Sequence, residues 1–494
     1  MRDVSFSNTP FLEPEERILD LLLINPYSSN PHPMIPLGLA SLAAVAVEAG
    51  YSVQVVDAWA EGLRDPDQLA RRLRALPVPR LTGISVLTTN LRSAKEAVSA
   101  SRTIFPGTLL VIGGPHVSAL PDEVLKEFPA ADLGVYGEGE MTLKEILAAF
   151  IPGDKPPRDL PGTIWRDAEQ AIVKAGPRSP IKDLDSLPRP ARYLFPLDRY
   201  HPHAPYGWRW RYVNEITSRG CPFHCAYCSK SVFGDSYRAF SPERVVSDIR
   251  ELVTRYRVRE IHFYDDDLTM NRKRAVEIME RLIAANLDLI WSCTTRCDLV
   301  DTGLLGLMKK AGCWMISYGI ESGNEALRQT VQKGVTRDQI ETAVLETKRA
   351  GIRVTGYFMI GLPGETEETV KETIGFVRQL DLHYVNWAVM MVYPGSPFFV
   401  NIQNGQYGPG RIITKGEGDR SPFRDSFVLG FEGALTYERM EALTREASRD
   451  FYLRPRTWLR ILTDIRSFRQ LRSTLESGWN VLCWFLSGTA KSSE

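Results

Sequence analysis

Two stretches of this chain alternate short apolar runs with amphipathic segments, and that alternation leaves few folds open. In the first stretch, ILDLLLI (18–24), SVQVVD (52–57), TGISV (82–86), TLLVIGG (108–114) and ADLGVYG (131–137) have the length and aliphatic content of strands buried on both faces. Helical segments separate them; residues 36–50 begin on Pro36, suited to a first turn, and end on Gly50, suited to a stop. Parallel strands joined by helical crossovers predict a doubly wound α/β domain over 1–150. In the second stretch, 212–400, the runs VNEITS, REIHFYD, LIWSCTT, WMISYGI, RVTGYFMIG and YVNWAVMMV repeat the pattern, with helices predicted over 241–256 and 366–380. Six β/α units predict a partial barrel, (β/α)6, short of the eight that close one. Prolines at 152, 156, 157, 161, 177, 180, 188, 190 and 196 mark 151–211 as a linker that wraps, with one hairpin candidate, GTIWRD–AEQ–AIVK. Residues 401–494 open on a glycine-rich loop and continue as a helical C-terminal region.

Composition removes several functions. Lys+Arg and Asp+Glu are equal at 60 each, which argues against a global polyanion-binding surface, so no nucleic-acid partner is expected. No run of 18 uncharged apolar residues occurs, which excludes a spanning helix. The first 17 residues lack an apolar leader, so a cytoplasmic location is expected. Seven cysteines include three within eight residues, a spacing that reads as metal ligation rather than a disulfide framework.

The predicted strands of the first domain end on Asn25-Pro26, Asp57, Thr88-Thr89, Gly113-Gly114-Pro115-His116 and Gly137-Glu138-Gly139-Glu140. Each alone is also readable as a tight turn. Five strand ends agreeing point to a ligand, because open α/β sheets bind ligands outside the carboxyl ends of their strands.

After the first barrel strand comes Ser218-Arg219-Gly220-Cys221-Pro222-Phe223-His224-Cys225-Ala226-Tyr227-Cys228. Thiolates spaced Cys-x3-Cys-x2-Cys can hold three irons of a 4Fe-4S cluster and leave the fourth iron open. A structural zinc site needs a fourth ligand, and His224 is awkwardly placed within the loop to supply it. The triplet, with Gly220 before it and Tyr227 before its last cysteine, resembles the radical S-adenosyl-L-methionine (radical SAM) superfamily. Tyr264-Asp265-Asp266-Asp267, Gly319-Ile320-Glu321-Ser322-Gly323, Gly356 to Glu365 and Tyr393-Pro394-Gly395-Ser396-Pro397 fit the same resemblance. It implies that Cys221, Cys225 and Cys228 ligate the cluster and that the open iron chelates S-adenosyl-L-methionine. It further implies Tyr227 beside the adenine, Asp266 or a neighbouring carboxylate at the ammonium, and Glu321 near the ribose or methionine. Backbone around Gly361 would flank the adenine. Cys293 and Cys313 read as buried small hydrophobes, and Cys297 stands at a strand end facing the barrel.

A doubly wound domain ahead of such a barrel is similar to the cobalamin-binding (B12-binding) subgroup. Asn25-Pro26, Pro36-Leu37-Gly38-Leu39-Ala40, Gly113-Gly114 and Gly137-Glu138 carry the resemblance. It implies corrin contacts from Asn25, Pro26, Leu37, Gly38, Thr88, Gly113, Gly114, Gly137 and Glu138. The Asp-x-His-x-x-Gly motif of classical cobalamin domains is absent, so the expected state is base-off with no histidine on cobalt. The implied activity is C-methylation of an unactivated carbon in a lipophilic small molecule, with an electron donor such as flavodoxin or ferredoxin. A radical SAM oxidative cyclase or ring-forming enzyme is the alternative, and a cobalamin-binding sensor or carrier is the alternative of another class. Residues 451–472 carry six arginines on a helical apolar pattern, followed by Trp479 and Trp484. Two readings stand: helices that cap the barrel, or an interfacial helix giving peripheral contact with the inner membrane face.

Overall fold

The computed structural model describes residues 19–28, 33–153, 156–200, 207–209, 211–406, 410–414, 427–431, 435–465, 471, 474, 475 and 478. The first apolar block forms β1 (Leu19–Asn25), β2 (Val53–Asp57), β3 (Pro79–Ser85), β4 (Leu109–Gly113) and β5 (Leu133–Val135), all parallel in the order β2-β1-β3-β4-β5. Between these strands run α1 (Leu37–Glu48), α2 (Pro66–Arg74), α3 (Leu91–Ile104), α4 (Pro115–Ala119) and α5 (Val124–Glu127), and α6 (Glu140–Gly153) follows β5. Alternate strand residues serve opposite faces, as a period of two requires. Leu21, Leu23, Leu81 and Val111 pack with Ala40 and Ala43 of α1 and Ile146 of α6. Leu22, Ile24, Ile84 and Ile112 pack with Leu69 of α2 and Ala97 of α3. The strand order reverses between β1 and β3, and the crevice for a ligand opens there.

The linker does more than wrap. Its hairpin, β6 (Thr163–Arg166) and β7 (Ile172–Lys174), adds antiparallel to β5 and extends the first sheet to seven strands. Beyond it, Ala191, Phe195 and Tyr200 belong to one continuous apolar core that also holds residues of the α1–α6 face and of the barrel.

The second sheet has β8 (Tyr212–Glu215), β11 (Glu260–Phe263), β12 (Ile290–Thr295), β13 (Cys313–Glu321), β14 (Arg353–Ile360) and β15 (Tyr384–Val389). All are parallel, in the order β15-β14-β13-β12-β11-β8. A two-stranded ribbon, β9 (Ser218–Arg219) with β10 (Arg238–Ala239), lies between β8 and β11 in the chain. Outer helices are α7 (Pro242–Thr254), α8 (Arg272–Ala285), α9 (Thr302–Lys310), α10 (Glu325–Thr330), α11 (Arg337–Arg349) and α12 (Glu367–Leu380); α13 (Pro397–Gln403) follows β15. Ser241, Asn271, Asp301, Thr336 and Thr366 each accept a first-turn N–H, which starts five of these helices directly after their loops.

An open sheet leaves edges, and α14 (Tyr437–Tyr452) covers the one at β15. The Tyr452 hydroxyl donates to the Val385 carbonyl at 2.7 Å and accepts from its N–H at 3.3 Å. Helix α15 (Pro455–Asp464) follows, with Arg456 and Arg460 paired to Asp381 at 3.3 and 2.7 Å and Arg454 paired to Asp450. Trp458 is exposed; Trp479, Cys483 and Trp484 lie outside the described residues. No helix among the described residues is long and apolar enough to cross a membrane.

Candidate active site

The cysteine loop is held at both ends of the triplet. Gly220 has φ +83°, and a Cβ there would lie 2.3 Å from the Ser236 carbonyl oxygen, so only glycine lets the ribbon turn into the loop. Inside the loop, the Ala226 N–H donates to the Val331 carbonyl at 3.0 Å and the Ala226 carbonyl accepts from Phe398 N–H at 2.9 Å. Gly395, in the Tyr-Pro-Gly-Ser-Pro segment, lets that segment close on the loop: a Cβ would meet Ser231 Oγ at 2.2 Å and Ala119 Cβ at 3.2 Å. Cys225 is buried, while Cys221 and Cys228 are half-buried. Arg296 brings Nη1 to 3.9 Å from Cys225 Sγ and stacks 3.7 Å over the Phe223 ring.

No three His, Cys, Asp or Glu side chains among the described residues converge as a single metal ion requires. A cluster does not need such convergence on one point, because each thiolate takes a different iron. Burial, with Asp266 contributing to both, pushes the Cys221 and Cys228 thiols up to about 11, so a ligated metal must displace their protons.

Beside the loop stands a trio in which Glu321 and Lys333 are buried and Tyr227 is half-buried. The Tyr227 hydroxyl donates to Glu321 Oε1 at 2.8 Å, and Lys333 Nζ lies 3.1 Å from both of those oxygens. Glu321 sits at φ +68°, where β13 and β14 shift register, and backbone strain of this kind concentrates at functional sites. Gly319 makes the room, since a Cβ there would lie 2.6 Å from Glu321 Oε1.

The three aspartates at the end of β11 have separate fates. Asp265 is buried and accepts from Thr217 and Ser218, tying β11 to the β8–β9 junction. Asp267 is buried, with Oδ2 3.9 Å from Cys221 Sγ. Asp266 is exposed and enters no hydrogen bond found among the described residues. Gly361 has φ +104° and Met440 against its Cα; Glu365 accepts its N–H and that of Leu362, leaving the Gly361 carbonyl for other partners. Burial pushes Glu365 up to about 7.

An apolar cavity of about 390 Å³ opens between the carboxyl ends of the first sheet and the mouth of the second. Leu37, Gly38, Leu87, Gly113, Gly114 and Gly137 line one side, and Ile216, Arg219, Phe233 and Phe240 the other. A Cβ at Gly38 or Gly137 would meet nothing within 4 Å, so these glycines leave a bare wall for a large ligand. Gly114 is needed for the turn itself: its φ is +109° and a Cβ would lie 2.9 Å from the Val86 carbonyl oxygen. A flat apolar macrocycle suits such a surface.

Two of the expected corrin residues lie off the cavity wall, and two others border it with side chains already engaged within the protein. Pro26 is buried and is not on the cavity wall, because β1 ends one residue before it and turns it inward. Thr88 is also off the wall; its hydroxyl meets His116 Nδ1 at 3.1 Å inside the domain, while Leu87 faces the cavity. Asn25 borders the cavity, yet its amide donates to Asp57 at 2.9 Å, where the Tyr200 hydroxyl also donates at 2.6 Å. Glu138 borders the cavity and spends its carboxylate on Arg219 at 2.7 Å, Arg238 at 2.8 Å and Ile181 N–H at 2.7 Å. His116 is fully buried, with Nε2 3.7 Å from Glu127, and does not face the cavity. Cys293, Cys297 and Cys313 are buried core residues.

Sequence reasoning did not single out Arg219, Arg296 or Lys333. Arg219 had a signal, since it directly precedes Gly220-Cys221; Arg296 and Lys333 reach the site from 68 and 105 residues beyond Cys228, across loops without a motif.

The family model of the Radical SAM superfamily matches residues 216–377, and that of the B12 binding domain matches residues 29–147. An uncharacterized methyltransferase of Pyrococcus horikoshii is 31% identical over 92% of this chain and 96% of its own. An anaerobic magnesium-protoporphyrin IX monomethyl ester cyclase of Rubrivivax gelatinosus is 31% identical over 74% of this chain, which spans 65% of the cyclase. Among solved structures, the radical S-adenosylmethionine methyltransferase TsrM of Kitasatospora setae, with cobalamin and a 4Fe-4S cluster bound, has the same fold. It superimposes with a TM-score of 0.73 at 18% identity, covering 94% of this chain and all of that one.

Proposed function

We propose, from the premise that this chain belongs to the radical SAM superfamily and carries a B12 binding domain, that it is a cobalamin-dependent radical SAM methyltransferase of a lipophilic small molecule. The observation that carries this reading is the cavity, whose two walls come from the two sheets and which borders the ribbon leading into the cysteine loop. When bound, the cluster supplies the electron that cleaves S-adenosyl-L-methionine to a deoxyadenosyl radical, and cobalamin serves as the methyl carrier.

The chain's own residues have distinct tasks in this reading. Cys221, Cys225 and Cys228 hold the cluster, with the Arg296 guanidinium beside Cys225 offsetting its negative charge. Asp266, the exposed carboxylate of its trio, binds the ammonium of S-adenosyl-L-methionine. Tyr227, locked by Glu321 and Lys333, forms a rigid wall for the adenine, and the Gly361 carbonyl flanks it. Leu37, Leu87, Phe233 and Phe240 keep water from the corrin face. The burial of His116 against Thr88 and Glu127 supports base-off cobalamin without a histidine ligand. An external one-electron donor of the flavodoxin or ferredoxin kind completes the set. The ion pairs of Arg454, Arg456 and Arg460 favour a capping role for the tail over contact with a membrane.

A cyclase of the same architecture is the second reading, favoured by the 31% identity to the magnesium-protoporphyrin ester cyclase. Reduced enzyme incubated with S-adenosyl-L-methionine and candidate substrates separates them. Methylated product with S-adenosylhomocysteine supports the methyltransferase; deoxyadenosine with an unmethylated cyclic product supports the cyclase.

A further inference from the structure

The wall between the corrin cavity and the cysteine loop contains buried charges that neither ligand requires. Arg219 donates from Nη1 to Glu138 Oε1 at 2.7 Å and from Nη2 to Glu140 Oε1 at 2.6 Å. All three side chains are more than nine-tenths buried. The guanidinium also lies 5.1 Å from the centre of the Phe233 ring. Glu138 takes a second arginine, Arg238, whose backbone pairs with that of Arg219 across the β9–β10 ribbon. The two carboxylates belong to the Gly137–Glu140 turn after β5, and Arg219, Phe233, Glu138 and Glu140 all line the cavity.

We infer that Arg219 is a positioning residue that fixes the cysteine loop to the corrin-binding turn, setting the separation and orientation of the two cofactors. The inference rests on the functional reading above. Its physical basis is geometric. The Arg219 side chain is anchored at two points in one domain, while its Cα stands two residues before Cys221 in the other. Gly220, the one residue between them, packs so closely on the ribbon that a Cβ there would lie 2.3 Å from the Ser236 carbonyl oxygen, so the link from Arg219 to Cys221 is short and tightly enclosed. A planar fork gripped by two carboxylates resists both translation and rotation, which a single point charge does not. Buried charge pairs are best attested as devices that fix register rather than as sources of stability, and this one sits where register matters.

The test uses the full-length, reconstituted holoenzyme and needs no substrate. Iron and cobalamin content are measured first, for the wild type and for Arg219→Lys and Glu140→Gln. The first variant keeps the charge but loses the fork; the second keeps an acceptor oxygen but loses a charge. Pulsed EPR then reads the dipolar coupling between reduced cluster and cob(II)alamin. Both variants are expected to hold iron and cobalamin at wild-type levels, yet to show a longer and more dispersed cobalt-to-cluster separation. Stability changes without movement of the cofactors would leave that distribution untouched. Wild-type distributions in both loaded variants would overturn the inference. A wild type that takes up iron but no cobalamin would instead overturn the functional reading, and the clamp's role with it.

Discussion

Replacing Gly220 with alanine tests how the ribbon delivers the cysteine loop. At φ +83° an L-residue meets steric resistance costing about 1–2 kcal/mol. The added Cβ would also lie 2.3 Å from the Ser236 carbonyl oxygen and 3.2 Å from that of Gly234, both backbone atoms that no rotamer change can move. Relieving such overpacking costs about 1–3 kcal/mol. A combined cost of about 3 kcal/mol lowers the population of the native loop roughly hundredfold relative to its alternatives. The damage should stay local, because the cavity wall made by the first sheet does not depend on Gly220. Anaerobically reconstituted Gly220→Ala should therefore bind little iron and cleave no S-adenosyl-L-methionine, while still taking up cobalamin. A variant with full iron content, a wild-type cluster spectrum and an unchanged melting temperature would show that the loop does not depend on glycine at this position.

Cys225→Ala should abolish cluster assembly and cleavage of S-adenosyl-L-methionine while leaving circular dichroism near wild type; cleavage at the normal rate would defeat the ligand assignment. Gly38→Phe should project into the cavity from the first turn of α1, blocking cobalamin uptake by spectral titration without loss of iron, since nothing lies within 4 Å of a Cβ there. Glu365 is held neutral by burial, with a folded value of about 7 against an ordinary 4.5, so the fold loses stability as pH rises through that window, by at most about 3 kcal/mol. Denaturant unfolding at about pH 4.5 and about pH 8 should show Glu365→Gln lacking that component of the decline; an identical slope in both proteins would contradict it.

Much of this architecture is written in local patterns. The central strands of both sheets, such as β1, β4, β11 and β13, are legible because each is a short apolar run buried on two faces, and the helices between them carry their caps in sequence, as Ser241 and Thr366 do. The linker was less legible. Its prolines advertise loops, but Ala191, Phe195 and Tyr200 belong to a core built from residues far apart in the chain, which composition does not reveal. Strand ends located the cavity correctly as a region, yet not residue by residue. Side-chain direction alternates there, so Leu87 faces the cavity while its neighbour Thr88 turns in to His116. Glu138 was marked by its glycine-rich turn as a ligand residue, whereas its carboxylate is consumed by Arg219 and Arg238. Lys333 carries no motif at all and is found only because the fold brings it to Glu321.

The proposed function requires one chain to load both a cluster and cobalamin and to move a methyl group between S-adenosyl-L-methionine and the corrin. The direct measurement is anaerobic reconstitution followed by reduction in the presence of methyl-labelled S-adenosyl-L-methionine. About four irons and one cobalamin per chain are expected, with label recovered on the corrin and S-adenosylhomocysteine released in proportion. Full loading of both cofactors with no label on the corrin, and deoxyadenosine as the sole cleavage product, would contradict the proposed function.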